Sequence, residues 1–526
     1  MNLSSINRRG WIKQSAALIA AAFAPWLPAA RAQSASTLNA LPRIALVLGN
    51  ARYADAPLNN PVNDAHAIAA TLTATGFEVT LKIDAGRSQM LEAIDAFGAE
   101  LKKKKCVGAF YYAGHGAQLA WKNYLIPVDA KIESVEDLRT RTVELNALLE
   151  GLRRAQNPMN VIILDACRDN PFGNKINSQQ KGLSQFDAPP GSLLAYATSP
   201  GNTAADGDGT NGLYTENLLR ELKVPEARIE DVFKRVRLNV RRRSAGQQIP
   251  WESTSLEDDF YFLPPAQIRK FSEEEISKQF SEELALWEKI REAKAPAPLI
   301  AYLEKYPSGK FSELAQYQLD RVLKSQGEKA LQASEENGNP FSKGTARIDA
   351  QFKVGDSYSY REFDLYSKVE TKTFSYRVTA SSETRIQFND GALITDVFGN
   401  QLRTPDGWTF TDAQFFIPAY AIGKKWSTRF QVSGVGRLGS FTGQSEIDFK
   451  VTAREQLTVP AGSFDAFRIE GEGWTQLSLG GAVQIRHRYW IAPGLRRPIA
   501  TETYRRHTSG RILGNEREEL TAYRQS

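Results

Sequence analysis

Three observations predict an α/β sandwich on a mostly parallel sheet, followed by a short helical hairpin and an antiparallel β domain. Between residues 43 and 263, strand-like apolar runs rich in β-branched and aromatic residues alternate with helical patterns, as in a sheet covered on both faces. From 270 to 325 the apolar spacing is helical throughout. From 345 to 526, short alternating stretches are punctuated by Gly, Asn, Asp and Pro, the habit of antiparallel strands. A chain of 526 residues has room for these parts, since about 100–200 residues make one domain.

Residues 1–32 stand outside the fold. Asn7-Arg8-Arg9-Gly10-Trp11, an apolar stretch broken by Pro25, and Ala30-Arg31-Ala32 fit a twin-arginine export signal cut after Ala32. The apolar run is short for a membrane span. Arg43 to Gly49 then reads as a strand, and Asn60 caps a helix opened by Pro61 that runs to about Ala74. Further strands are expected at 77–83, 107–112, 161–164 and 192–197, with Phe260 to Leu263 closing the sheet. Helices are expected near 87–104, 144–155, 211–222 and 228–242. In the next segment Ile276, Phe280, Leu284 and Trp287 form one helical stripe and Leu299, Tyr302, Leu303 and Tyr306 another, with Tyr306-Pro307-Ser308-Gly309-Lys310-Phe311 joining a further helix; the unit resembles a single tetratricopeptide-like hairpin. One such unit cannot bury its own face, so it is expected to act as a strut between domains. Residues 326–344 read as a linker. In the β domain, Thr458-Val459-Pro460-Ala461-Gly462-Ser463-Phe464 and Tyr489-Trp490-Ile491-Ala492-Pro493-Gly494 resemble motifs of curved-sheet bacterial envelope proteins, and they carry no assigned chemistry.

Charge excludes one class of partner. The formal net charge is +6, and removing the signal with its four basic residues lowers it to about +2, which is no nucleic-acid signature. The basic runs Lys102 to Lys105 and Arg241 to Arg243 fall at predicted helix C-termini, where cations oppose the dipole, and read as solvated ends. With two Cys and four His the chain holds neither a zinc cluster nor a disulfide framework. No metal or other cofactor is expected. Cys106 reads as a small buried hydrophobe, which leaves reactivity as the reason for Cys167.

Two strand ends carry that reactivity. Phe110-Tyr111-Tyr112-Ala113 leads into Gly114-His115-Gly116, and Val161-Ile162-Ile163-Leu164 leads into Asp165-Ala166-Cys167-Arg168-Asp169. Sites in open α/β sheets are built at the carboxyl ends of strands, so an imidazole and a thiol arrive at one sheet edge. Taken singly, His115 would read as a core histidine and Cys167 as a buried hydrophobe. Together, with His115 lying 52 positions before Cys167, and with Asn60-Pro61-Val62-Asn63-Asp64-Ala65 and Ala197-Thr198-Ser199-Pro200-Gly201 flanking them, residues 43–263 resemble the caspase-like peptidases, closest to the metacaspase and bacterial branch.

That resemblance implies a caspase-type α/β/α sandwich and a cysteine endopeptidase with a Cys167–His115 dyad. It also implies an oxyanion hole from the backbone N–H groups of Gly116 and Cys167. Asp165, two residues before the nucleophile, shares its pleat face, and Asp64 matches a second acidic position of the metacaspase P1 pocket. Two carboxylates repel acidic side chains and accept Arg or Lys, so protein substrates with a basic P1 residue are expected. Asp165 alone would read as a turn cap, and Asp64 as a carboxylate complementing a helix start. Ala113 replaces the usual pocket serine, and Ser199 is expected to supply a related polar group. The long loop after Cys167 holds Lys175 and Lys181, candidate self-cleavage sites. Calcium activation is left open and no ligand motif supports it: Asp206 to Asn211 lacks the spaced glutamate of a calcium loop and reads as a turn. The competing expectation is a catalytically silent scaffold whose β domain recognises an envelope component.

Overall fold

A computed structural model describes residues 37–167, 183–199, 209–256, 258–265, 271–328, 346–347, 349–436, 439–478 and 480–526. The expected export signal, Lys175 and Lys181 lie outside the described residues, as does the side chain of Cys167.

The first part runs β1 (Arg43–Gly49), α1 (Pro61–Ala74), β2 (Phe77–Ile83), α2 (Arg87–Lys104), β3 (Val107–Leu119), β4 (Lys122–Leu125), α3 (Val135–Arg141), β5 (Val143–Glu144), α4 (Leu145–Ala155), β6 (Met159–Cys167), β7 (Ser192–Tyr196), α5 (Leu213–Glu221), α6 (Ile229–Arg243) and β8 (Trp251–Thr254). The sheet order is β2-β1-β3-β6-β7-β8, parallel except for β8. This is a caspase-like α/β sandwich. The inner strands β1, β3, β6 and β7 are buried on both sides, hence their apolar runs, whereas the edge strand β2 alternates buried with exposed residues. Val47, Tyr111 and Ile163 face α1, α5 and α6, while Leu46, Phe110 and Ile162 face α2 and α4.

Two expectations need correction. Residues 260–263 add no strand to the sheet: Tyr261 makes an isolated bridge with Arg228, and β8 is the closing strand. The backbone there serves Arg43 instead, whose guanidinium donates to the carbonyls of Phe262 (2.9 Å) and Tyr261 (3.2 Å) and lies 4.8 Å from the Phe260 ring. Nor is the end of α6 wholly solvated. Arg241 is buried, paired with Asp320 at 2.5 Å and Glu328 at 2.6 Å, because the last helix of the following unit lies against it.

That unit has three helices, α7 (Glu273–Ile290), α8 (Pro296–Lys305) and α9 (Ser312–Ser325). Ser272 and Glu275 form a capping box that starts α7. Trp287 stacks on Phe311 with centroids 5.9 Å apart, and this apolar cluster is continuous with that of the β domain. Polar ties cross the same boundary: Trp287 Nε1 donates to Asp412 (2.8 Å), and Lys310 pairs with Glu446 (3.3 Å).

After β9 (Ala346–Arg347) come β10 (Ser357–Asp364), β11 (Glu370–Ser381), β12 (Ile386–Phe388), β13 (Leu393–Thr395), β14 (Gln401–Arg403), β15 (Thr409–Phe410), β16 (Ala419–Tyr420), β17 (Lys425–Gly436), β18 (Gly439–Val459), β19 (Gly462–Leu477), β20 (Ala482–Ile491), β21 (Ala500–His507) and β22 (Ile512–Arg524). All but β9 and β16, which pair with each other, close into a twelve-stranded antiparallel barrel. Closure is made by β22 pairing β10, from Ser357↔Arg524 to Asp364↔Glu516. The segment between β15 and β17 folds inward. Phe415 meets Phe430 (5.3 Å), Phe449 (5.9 Å) and His487 (5.8 Å), and Phe416 meets Tyr489 (5.0 Å).

Candidate active site

The register of β3 and β6 is the central geometric fact. The two strands pair in parallel from Val107↔Met159 to His115↔Cys167, so the backbones of residues 115 and 167 are direct neighbours at the carboxyl ends of adjacent strands. Neighbouring strands stand about 4.8 Å apart. Both strands run further than their apolar sequences alone suggest, carrying the pairing through the polar residues.

Gly114 makes the bend before the histidine. Its φ of +153° is a conformation for glycine, and a Cβ there would stand 2.6 Å from Tyr53 Oη and 2.8 Å from Tyr112 Oη. Those hydroxyls brace the turn. His115 N–H donates to Tyr53 Oη (3.0 Å), Tyr112 Oη donates to the His115 carbonyl (2.6 Å), and Tyr53 Oη donates to the Ile126 carbonyl (3.0 Å). The Tyr53 and His115 rings lie 4.4 Å apart.

The imidazole is oriented from the loop after β1. His115 Nε2 lies 2.6 Å from the Ala56 carbonyl oxygen. A carbonyl only accepts, so Nε2 carries the proton and Nδ1 is the basic nitrogen. Gly116 is the next backbone group. The bond from Ile126 N–H to the His115 carbonyl (3.1 Å), beside the pair Gly116↔Leu125, makes the latter a non-hydrogen-bonded pair. The N–H of Gly116 therefore turns away from β4, toward the end of β6. A Cβ on Gly116 would come within 3.0 Å of Ala166 Cβ and Leu183 Cδ2.

The two expected pocket carboxylates converge on Tyr111. Asp165 is partly exposed and accepts from Thr215 Oγ1 at 2.7 Å, while Tyr111 Oη lies 2.6 Å from the same threonine oxygen. Asp64 is buried on the first turn of α1, and its Oδ1 accepts from Asn211 Nδ2 (2.8 Å) and from Gly212 N–H (3.0 Å) at the start of α5. Burial, then the charges of Asp165 and Asp64, push the Tyr111 phenol well up. Asp64 thus also caps α5 from outside. Ser199 is buried three residues beyond β7. Cys106 is buried ahead of β3 with its thiol pushed up by burial, which makes it a poor nucleophile. Among the described residues no cluster of three metal-ligating side chains occurs, and no helix is long and apolar enough to cross a membrane.

Sequence reasoning missed Tyr53, Ala56, Tyr112 and Thr215. Tyr112 and Thr215 sit in apolar or helical runs that read as core, and Ala56 contributes only a backbone carbonyl.

Residues 42–261 match the family model of the caspase domain. A stretch of 163 residues is 27% identical to mucosa-associated lymphoid tissue lymphoma translocation protein 1 of Homo sapiens, covering 31% of this chain and 19% of that protein. The Mus musculus homolog matches to the same extent. The chain spans about a fifth of the length of these curated relatives.

Proposed function

We propose that the caspase-like domain is a cysteine endopeptidase of the bacterial cell envelope that cuts proteins after Arg or Lys. The observation that carries this reading is the pairing of residue 115 with residue 167, combined with an imidazole whose Nε2 is committed to the Ala56 carbonyl. His115 Nδ1 takes the proton of the Cys167 thiol, and the thiolate attacks the scissile carbonyl carbon. The resulting oxyanion accepts from the N–H groups of Gly116 and Cys167, each such donor contributing about 3 kcal/mol. As the C–N bond breaks, His115 returns the proton to the leaving amine, and water then hydrolyses the thioester with His115 again as base.

Asp165 and Asp64 supply the selectivity. Their negative charges around one pocket, with Ser199 at its side, favour a guanidinium or ammonium and oppose a carboxylate. In the same reading the signal in residues 1–32 delivers the protein to the envelope, and cleavage at Lys175 or Lys181 matures it. Intact mass of wild type beside Cys167→Ala tests the last point: identical uncut masses under active conditions refute self-processing.

Fluorogenic peptides ending in Arg, Lys or Asp test the activity itself, with and without calcium. Turnover of the basic peptides that vanishes in Cys167→Ala is expected. No turnover under any condition refutes the enzyme reading.

A further inference from the structure

Both expected pocket carboxylates are tied to the first turn of one helix, α5. Asp64 Oδ1 accepts from Gly212 N–H (3.0 Å), where α5 begins, and Thr215, the third residue of that helix, donates its hydroxyl proton to Asp165 Oδ2 at 2.7 Å. The amino-terminal end of a helix dipole favours such negative charge. α5 is itself fixed on α6: Glu221 pairs with Arg235 and Glu216 with Arg243, each at 2.7 Å.

The direction of each hydrogen bond near Asp165 follows from the groups that make it. An ionised carboxylate only accepts, so the single hydroxyl proton of Thr215 goes to Asp165. Thr215 Oγ1 then accepts from Tyr111 Oη, 2.6 Å away, whose proton is kept by burial and by the nearby charges of Asp165 and Asp64. Tyr111 Oη stands 3.5 Å from Asp165 Oδ2, longer than an ordinary O–H···O bond, so the phenol acts on the carboxylate through the threonine. Tyr111 and Thr215 are fully buried, whereas Asp165 keeps access to solvent. A relay of buried hydroxyls therefore ends on a carboxylate that it orients without covering.

We propose that Thr215 is a positioning residue for P1 recognition: its hydroxyl, oriented by Tyr111, fixes the Asp165 carboxylate in the place where it meets the basic side chain of the substrate. The inference rests on the peptidase reading above. Thr215 touches no substrate and acts through Asp165. Without the hydroxyl, Asp165 still attracts a cation but must be ordered on binding, so the loss falls on KM for a basic P1 residue rather than on the chemical step.

The test uses the whole chain and two fluorogenic peptides that differ only in a terminal Arg or Gln. Thr215→Val keeps the shape and removes the hydroxyl. It should lower the kcat/KM preference for Arg over Gln by about 10- to 100-fold, the range for a lost hydrogen bond to a charged group, chiefly by raising KM for the Arg peptide. Thr215→Ser should restore most of the preference, and Tyr111→Phe should lower it less than Thr215→Val does. Iodoacetamide has no P1 side chain and reads the dyad separately; it should alkylate Cys167 in Thr215→Val at the wild-type rate. If Thr215→Val does not fold, Thr215→Ala takes its place with the same expectations. An unchanged Arg-to-Gln ratio in the variant without the hydroxyl, an equal loss in Thr215→Ser, or a loss shared by both peptides together with slower alkylation overturns the role of Thr215 while wild type still cuts the Arg peptide. A wild type that cuts neither peptide refutes the peptidase reading and this role together, so the two failures are told apart.

Discussion

Gly114→Ala tests whether the bend before His115 holds the imidazole in place. The native φ of +153° is open to glycine and strained for alanine, at a cost of about 1–3 kcal/mol. The new methyl would also meet Tyr53 Oη at 2.6 Å and Tyr112 Oη at 2.8 Å, so one or both rings must shift. That loosens the bonds from His115 N–H to Tyr53 (3.0 Å) and from Tyr112 to the His115 carbonyl (2.6 Å). At about 0.5–1.5 kcal/mol for each bond, the total is about 2–6 kcal/mol. Urea unfolding of both proteins reads the stability loss. Hydrolysis of an Arg peptide reads the displacement of the base, expected to lower kcat/KM by about a hundredfold for a misplacement near 1 Å. An unfolding free energy within about 0.5 kcal/mol of wild type, with unchanged turnover, would refute the reasoning.

Three further outcomes are expected. Asp165→Asn keeps the bond to Thr215 within reach but removes a charge, and should lower the preference for Arg over Gln peptides by about 10- to 100-fold; an unchanged ratio in competitive hydrolysis counts against the pocket. Arg241→Ala strands Asp320 and Glu328 against α6 and should cost about 3–5 kcal/mol in urea unfolding, whereas an exposed helix-end arginine would cost less than about 0.5 kcal/mol. His487, enclosed by the barrel wall and 3.2 Å from Thr503 Oγ1, is driven by burial down to about 3. Its ordinary value is near 6.5, so below that pH the unfolded chain binds the extra proton and stability falls. The loss is about 2 kcal/mol between pH 7 and pH 5, and His487→Gln should flatten that dependence in denaturation curves at the two pH values.

Much of the first part was legible because its boundaries are marked by residues with one local use. Pro61 opens α1, although Asn60 before it makes no side-chain cap, and Gly76 and Gly86, after α1 and at the start of α2, punctuate β2 between them. The excursion through β4, α3 and β5 was not legible, since strands of four and two residues leave no periodicity, although Ser134 bonding Asp137 N–H is a local helix start. Near the site, the strand contexts of residues 115 and 167 were visible, but their register was not. It depends on a ladder running from Val107↔Met159, in which no residue advertises its partner. The Ala56 carbonyl carries no side-chain signal. In the β domain, alternation revealed strands, but closure joins β10 to β22, elements more than 140 residues apart in sequence.

The most direct test of the paired imidazole and thiol is covalent trapping. An Arg-terminated acyloxymethyl ketone should alkylate one cysteine, with peptide mapping placing the adduct on Cys167, none on buried Cys106, and a much slower reaction in His115→Ala. Labelling of Cys106, or labelling of Cys167 at a rate that His115→Ala leaves unchanged, would contradict a Cys167–His115 dyad.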